Sequence, residues 1–186
     1  VAEWKWDGIR VQIILDDFDI KIFSRTGDDI THTFPEIKSL EKEMVILDGE
    51  LLIGRDYIPM NFNTLQQRLN RKKVSQKHID DFPAFVKLYD ILYLNNEDLR
   101  EKNWDERRTI LESWYCKNKN RFFDLSKIIN FNSWKNLAEI RKNEIIDDQH
   151  EGLMIKSKYS PYISGRPKGH WYKWKKDPKT VDAILM

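Results

Sequence analysis

The chain has 186 residues, 40% hydrophobic and 33% charged, with a formal net charge of +2. That length suits one domain, or one with a small subdomain, and can enclose a real core. No apolar run approaches membrane-spanning length, a single cysteine (Cys116) excludes an internal disulfide or a cysteine-built zinc site, and His32, His78, His150 and His170 are scattered without metal-ligand spacing.

Val1 has no basic segment before it and no apolar stretch after it, so no signal peptide is read, and without an initiator Met the chain is expected to be a fragment or a processed form. The opening octet, Glu3-Trp4-Lys5-Trp6-Asp7-Gly8-Ile9-Arg10, sets one lysine in an aromatic frame and follows it with a carboxylate, a glycine and an arginine. Lys5 and Asp7 share period-2 parity, so an extended segment puts them on one face. Arg10 is expected on that face as well, offering a planar fork for phosphate or carboxylate. Gly8 allows close approach of backbone or ligand.

Further along, β-branched and aliphatic runs predict strands over 11–15, 19–23, 45–53, 85–94, 127–131, 153–156 and 171–174. Helical patterns fall at 35–44, 63–69, 104–115 and 133–142. Pro35 suits a helix start, Asn103 or Asp105 could cap the third helix, and Asn132 or Ser133 the fourth. Residues 160–169 read as a loop between strands. Several strands follow one another without an intervening helix, which favours mixed or antiparallel sheets over a doubly wound parallel one.

Chemistry-bearing residues recur along these elements. Ser24-Arg25-Thr26-Gly27 follows a strand, and Asp48-Gly49-Glu50 lies within one. Lys87-Leu88-Tyr89-Asp90-Ile91-Leu92-Tyr93 is an apolar strand carrying an aromatic and a carboxylate. Glu151-Gly152-Leu153-Met154-Ile155-Lys156 opens a late strand, and Trp171-Tyr172-Lys173-Trp174-Lys175-Lys176 sets Lys173 and Lys175 on one face. Each alone has a plain reading: a tight turn, a core tyrosine, an edge strand with charged ends, a solvated surface. From Gly152 to Lys176 there are seven Lys/Arg and no Asp or Glu, and Arg68, Arg71, Lys72, Lys73 and Lys77 form a second basic run. Such clusters suggest a polyanionic partner or simply solvated basic faces. No G-x-x-x-x-G-K-[ST] run supports a P-loop, and no Ser, His and Asp set argues for a hydrolase.

Taken together and in this order, the segments resemble the adenylation (nucleotidyltransferase) domain of ATP-dependent DNA ligases, most like bacterial ones. Lys5-x-Asp7-Gly8-x-Arg10 matches the nucleophile motif, Asp48-Gly49-Glu50 the third, Lys87 to Tyr93 its aromatic follower, Glu151 to Lys156 the fourth and Trp171 to Lys176 the fifth. The resemblance implies an α/β (α+β), ATP-grasp-like fold with the nucleotide between two antiparallel-rich sheets flanked by helices. It implies an adenylation domain over 1–177, starting just before the nucleophile motif, and a linker from 178 to 186 toward an OB-fold that the chain lacks. An upstream DNA-binding domain of the same full-length protein, nicked double-stranded DNA as substrate, no membrane, and a cytoplasmic, nucleoid-associated location belong to the same expectation.

The implied chemistry is attack of the Lys5 amine on the α-phosphate of ATP, transfer of AMP to a DNA 5′-phosphate, and its displacement by the 3′-hydroxyl. A free lysine is protonated at neutral pH and a poor nucleophile; Trp4, Trp6, neighbouring cations and a bound metal are each expected to favour the neutral amine. The resemblance gives Asp7 a positioning or proton- and metal-handling role, and Lys173 and Lys175 the stabilisation of phosphate charge. Arg10 and Arg25 would hold phosphate or sugar oxygens, Glu50 the ribose, Tyr89 the adenine, and Glu151 a Mg²⁺ (or Mn²⁺) ion. Glu3, Lys156 and Arg166 complete the expected nucleotide contacts. The alternatives are an RNA ligase or an mRNA-capping guanylyltransferase with the same lysine chemistry, or a catalytically silent nucleic-acid-binding module.

Overall fold

A computed structural model describes the chain except for residues 18, 39–42, 70, 72, 144–149, 166, 167 and 177–186. Eleven strands and four α-helices are assigned among the described residues. Strand β1 (Ala2–Trp6) leads through Asp7 and Gly8 to β2 (Ile9–Asp16) and β3 (Asp19–Ser24). The long β4 (Val45–Arg55), short β5 (Ile58–Pro59), α1 (Phe62–Leu69) and α2 (Gln76–Asp81) precede β6 (Ala84–Leu94) and β7 (Glu97–Asp98). After α3 (Trp104–Lys117) come β8 (Phe123–Leu125), β9 (Ile128–Ile129), α4 (Trp134–Asn143), β10 (His150–Lys156) and β11 (Trp171–Lys175).

The strands form two sheets. The larger runs β3-β2-β4-β6-β7, with β5 on β4 and β8 on β6, and the smaller runs β11-β10-β1-β9. All pairings are antiparallel except β6 with β8. Alternation explains the two faces of the large sheet. Val11, Ile13 and Leu15 on β2, Val45, Leu47, Leu51 and Ile53 on β4, and Val86 and Leu88 on β6 are buried with Leu65 of α1 and Leu111 and Trp114 of α3. The opposite face carries Arg10, Gln12, Asp48, Glu50 and Tyr89.

The small sheet divides the same way. Ala2 and Leu153 pack with Leu137 of α4, joined by Trp4, Ile155 and Trp174. The alternate positions are Glu3 and Lys5 on β1, Met154 and Lys156 on β10, and Trp171, Lys173 and Lys175 on β11, aligned in register. Burying Trp4 and Trp174 under α4 therefore fixes which face the lysines take.

The expected strands are all present, although the one at 127–131 shrinks to Ile128–Ile129. Three of the expected helices form, and Asn103 caps α3 by accepting from Glu106 N–H at 3.0 Å. Ser133 accepts from Asn136 N–H at 3.1 Å at the start of α4. The helix expected at 35–44 does not form over its described part: Pro35 and Glu36 make a turn, and 39–42 lie outside the described residues. Phe34 and Ile37 both enter the core, and Glu36 is drawn onto the buried Arg68 guanidinium at 2.9 Å. That pairing also removes Arg68 from the expected basic surface, because its guanidinium donates to the Phe82 and Thr33 carbonyls. Helix α2 went unanticipated: it buries no side chain, and its capping box pairs Ser75 with His78 where the usual partner is Glu or Gln.

One buried pair ties the two sheets together. Arg107 of α3 donates from Nε and Nη2 to the two oxygens of Asp90 at 2.7 and 2.9 Å, both residues being essentially inaccessible. Its Nη1 reaches the carbonyls of Lys102 and Ser160, the latter in the loop between β10 and β11. Removing one partner of such a pair strands a buried charge. Arg107→Ala is expected to lower unfolding free energy by about 3–5 kcal/mol, whereas Arg107→Met combined with Asp90→Leu recovers part of the loss; urea titration of the three proteins measures both.

Candidate active site

The opening octet is not one strand. It ends β1 at Trp6, turns at Asp7–Gly8, and resumes as β2 in the other sheet. A Cβ on Gly8 would lie 2.5 Å from the Leu51 carbonyl oxygen and 2.9 Å from Glu50 Cγ, so only glycine lets the chain cross so close to β4. Lys5 and Arg10 consequently stand on different walls, which corrects the expectation of one shared face. Arg10 also has the opposite parity to Lys5.

Around Lys5 the small sheet builds a charged cluster. Lys5 Nζ lies 3.0 Å from Glu151 Oε2, and Lys175 Nζ lies 2.9 Å from the same oxygen. Glu151 reaches them because it is the extra residue of a bulge: Lys5 pairs with Gly152 and Trp6 with His150. Gly152 has φ +136°, and a Cβ there would sit 2.2 Å from the Trp174 carbonyl oxygen, so the bulge depends on glycine. Burial acts to raise Glu151, but hydrogen bonds from Lys175 and Lys5 outweigh it and hold the carboxylate below its ordinary value. Asp7 is raised, first by burial and then by the adjacent Glu151, with which it shares a hydrogen bond. Glu50, across on β4, is pushed up to about 8 by burial, with Lys5 pulling the other way.

Glu3, two residues before Lys5, points into a separate pocket with Lys156, 3.0 Å away. Both are buried, so Lys156 is no part of a basic surface. The Lys156 ammonium lies 4.8 Å from the ring centre of Tyr89 and 4.6 Å from that of Trp171. Glu3 Oε1 is buried and accepts no hydrogen bond among the described residues. Tyr89 is itself a bulge residue, left over where Asp48 pairs with Asp90 and Gly49 with Leu88.

The third group centres on Asp48, which is fully buried. It accepts from Arg10 Nε at 3.0 Å and Nη2 at 2.6 Å, from Tyr89 Oη at 3.2 Å and from Tyr162 Oη at 2.9 Å. Burial and Asp48 keep the Tyr89 phenol well above its ordinary value, and Tyr162 is raised to about 12 for the same reasons. Sequence reasoning gave Asp48 no role and missed Tyr162, which sits in a loop with no local signal.

The remaining expected residues are less concentrated. Arg25 is exposed and lines a cavity with Arg10. Lys173 is exposed on β11, one alternation before Lys175. Arg166 lies outside the described residues. Trp4 and Trp6 do not frame Lys5: Trp4 stacks on His150 at 4.0 Å and Trp6 meets it edge-on. Trp6 also donates to Ser126 Oγ at 3.2 Å and has the Lys87 ammonium 4.9 Å from its ring centre. The tryptophans anchor β1 through these partners. No group of three or more His, Cys, Asp or Glu positioned to hold a metal occurs among the described residues.

Two facing sheets with a lysine–carboxylate–lysine cluster at their junction make a nucleotidyltransferase-type domain. A family model described as the ATP dependent DNA ligase domain matches residues 1–175, and the chain belongs to that family. A DNA ligase of Archaeoglobus fulgidus is 36% identical over 191 residues, spanning 100% of this chain and 33% of that protein. A probable DNA ligase of Koribacter versatilis is 30% identical over 216 residues, spanning 100% and 36%. In fold, the chain is similar to a mycobacterial DNA ligase D complexed with ATP and MES, with TM-score 0.72, 24% identity and coverage of 91% of this chain and 52% of that one. Chlorella virus DNA ligase-adenylate gives TM-score 0.64 at 17% identity, over 94% and 61%. The chain thus spans about a third of the length of the curated relatives.

Two outcomes test this geometry. Gly152→Ala is expected to cost about 1–3 kcal/mol and to speed hydrogen exchange at Lys176, whose N–H donates to the Glu151 carbonyl at 2.9 Å. Glu50, with an ordinary value of 4.5, stays protonated in the folded chain up to about 8. The native state then holds more protons than the unfolded state across that window, so stability falls as pH rises through it. Urea midpoints at about pH 5 and pH 8 should differ less for Glu50→Gln than for wild type.

Proposed function

We propose that this chain is the adenylation domain of a DNA ligase, forming lysyl-AMP at Lys5. The carrying observation is Lys5 held with Lys175 on the single carboxylate of Glu151, at 3.0 and 2.9 Å. In the reaction, the lone pair of Lys5 Nζ attacks the α-phosphorus of ATP. A P–N bond forms, the α–β bridging P–O bond breaks, the amine loses a proton, and pyrophosphate leaves. A DNA 5′-phosphate oxygen next attacks the same phosphorus, breaking the P–N bond. The 3′-hydroxyl finally displaces AMP and closes the nick.

The residues divide this work by position. The amine attacks only in its neutral form, so the Lys5 ammonium paired with Glu151 gives up one proton before the P–N bond forms and a second as it forms. Asp7, raised by burial and by Glu151, would accept a proton from Lys5. Lys175, with Lys173 one alternation away, stabilises charge on the phosphates. Glu3 Oε1, which accepts no hydrogen bond among the described residues and has the Arg108 guanidinium 3.8 Å away, fits an amino group of the base, with Lys156 reading the same edge. Tyr89 stacks on the base, its ring fixed by Asp48. Glu50 holds the ribose. Glu151 with Asp7 suits a hard divalent cation, Mg²⁺ or Mn²⁺, which would neutralise phosphate charge.

The family description supports ATP over GTP, and a silent binding module would have no use for two lysines converging on one bulged carboxylate. The greater length of the relatives supports further domains in sealing, an OB-fold and an N-terminal DNA-binding domain, with nicked duplex DNA as substrate. The test is incubation with Mg²⁺ and separately labelled ATP, GTP or NAD⁺. Label from ATP alone is expected, in an acid-labile, alkali-stable adduct at Lys5. A guanidinium cannot attack, so Lys5→Arg should remain folded and take no label. Label on Lys5→Arg at another lysine would sink the assignment.

A further inference from the structure

Beside the Asp48 network lies a cavity of about 570 Å³, walled in part by Arg10, Arg25, Arg100, Asp98, Tyr162 and Ser24. Three guanidinium groups and one carboxylate side chain line it. We propose that this cavity grips the sugar–phosphate backbone of the nicked DNA, and that Arg100 is a phosphate contact there. The proposal rests on the DNA ligase reading above and extends it to a residue that reading leaves out.

Arg100 is aimed and available. Its Nε lies 2.9 Å from Asp98 Oδ1 and its Nη2 2.6 Å from Oδ2, while its backbone N–H donates to Oδ1 at 3.0 Å. The pair is open to solvent, with Arg100 58% and Asp98 46% exposed. Exposed pairs of this kind contribute little to stability and exchange readily for a stronger partner. A phosphate takes a guanidinium fork in the same bidentate way as a carboxylate.

The wall behind Arg100 is rigid. Its carbonyl accepts from Tyr162 N–H at 2.8 Å, and the Tyr162 hydroxyl accepts from Arg10 Nη2 at 2.6 Å. Arg25 is presented from another side by a closed turn. There Ser24 N–H donates to the Asp28 carbonyl at 2.9 Å, Gly27 N–H to the Ser24 carbonyl at 3.0 Å, and the Thr26 hydroxyl to the Asp28 carboxylate. Arg10 is committed to Asp48 and Tyr162, while the Arg25 and Arg100 guanidiniums, presented from different sides, suit successive phosphates along a strand. A nucleotide's own phosphates are served by Lys5 and Lys175 at the other cluster.

The experiment measures binding of the full chain to a nicked duplex across a salt series at low ionic strength, for wild type, Arg100→Ala and Arg100→Lys. Losing one phosphate contact should lower the slope of log K against log salt by about 0.9 and weaken binding to nicked duplexes of any sequence alike. Arg100→Lys should restore most of the slope. Unchanged affinity and slope in Arg100→Ala would overturn the proposal. Transfer of AMP to Lys5 without DNA is the second arm. A loss there matching the loss in DNA affinity would assign the cavity to the phosphates of ATP and overturn it equally. The ligase reading fails separately, if wild type takes no label from ATP.

Discussion

The crossing at Asp7–Gly8 is the constraint from which the rest of the site follows. The chain leaves one sheet and enters the other within two residues, so close to β4 that a methyl group would meet the Leu51 carbonyl at 2.5 Å. That contact fixes how far Lys5 stands from Glu50, and which wall carries Arg10. Any side chain at residue 8 would push β1 from β4 and change both distances together. The small residue here sets the separation of two functional walls, which is a stronger demand than permitting a turn.

The walls meet through polar contacts, Trp6 Nε1 on Ser126 Oγ, Arg107 Nη1 on the Ser160 carbonyl and Tyr162 Oη on Asp48, and buried ion pairs within each wall, Glu3 with Lys156, Asp48 with Arg10, Asp90 with Arg107 and Lys87 with Asp124, set the groups that make them. Apolar replacements of equal volume would stabilise as well or better, since desolvation offsets much of the Coulomb attraction. What such pairs add is direction. Arg107 accepts no sliding of the β10–β11 loop, because its fork is committed to Asp90 and its third nitrogen to carbonyls. Tyr162 is thereby delivered to Asp48, and Asp48 in turn orients the Tyr89 ring.

Periodicity made the sheets legible. Alternation in Glu3 to Trp6 and Tyr172 to Lys175 marks a charged face and an aromatic face, and the structure honours both. The same alternation contradicts an aromatic frame around Lys5, because Trp4 has the wrong parity; local sequence proximity was mistaken for spatial proximity. Bulges were the other obstacle. Glu151 and Tyr89 reach their positions as extra residues in a ladder. Gly152 gives the first away, whereas nothing in Lys87 to Tyr93 announces the second. Tyr162, Arg107 and Arg68 were illegible for a common reason: each acts through partners more than a dozen residues away or in irregular loops, where no period exists to read.

The two sheets are unequally supported, and this bears on how the site works. The large sheet rests on a continuous core shared with α1 and α3. The small sheet, which carries Lys5, Glu151 and Lys175, has only Ala2, Leu137 and Leu153 as its buried cluster among the described residues. At about 25 cal/mol per Å² of buried apolar surface, so small a cluster supplies little independent stability. Its order depends on contacts to the other wall, such as Trp6 with Ser126 and Arg107 with the Ser160 carbonyl, and on α4. Elements of low local stability are the ones that open and close around ligands. A nucleotide bridging both walls stabilises the closed arrangement by mass action. Opening the Lys5–Glu151 pair, which the proposed chemistry requires, is therefore a rearrangement within the sheet least held by its own core.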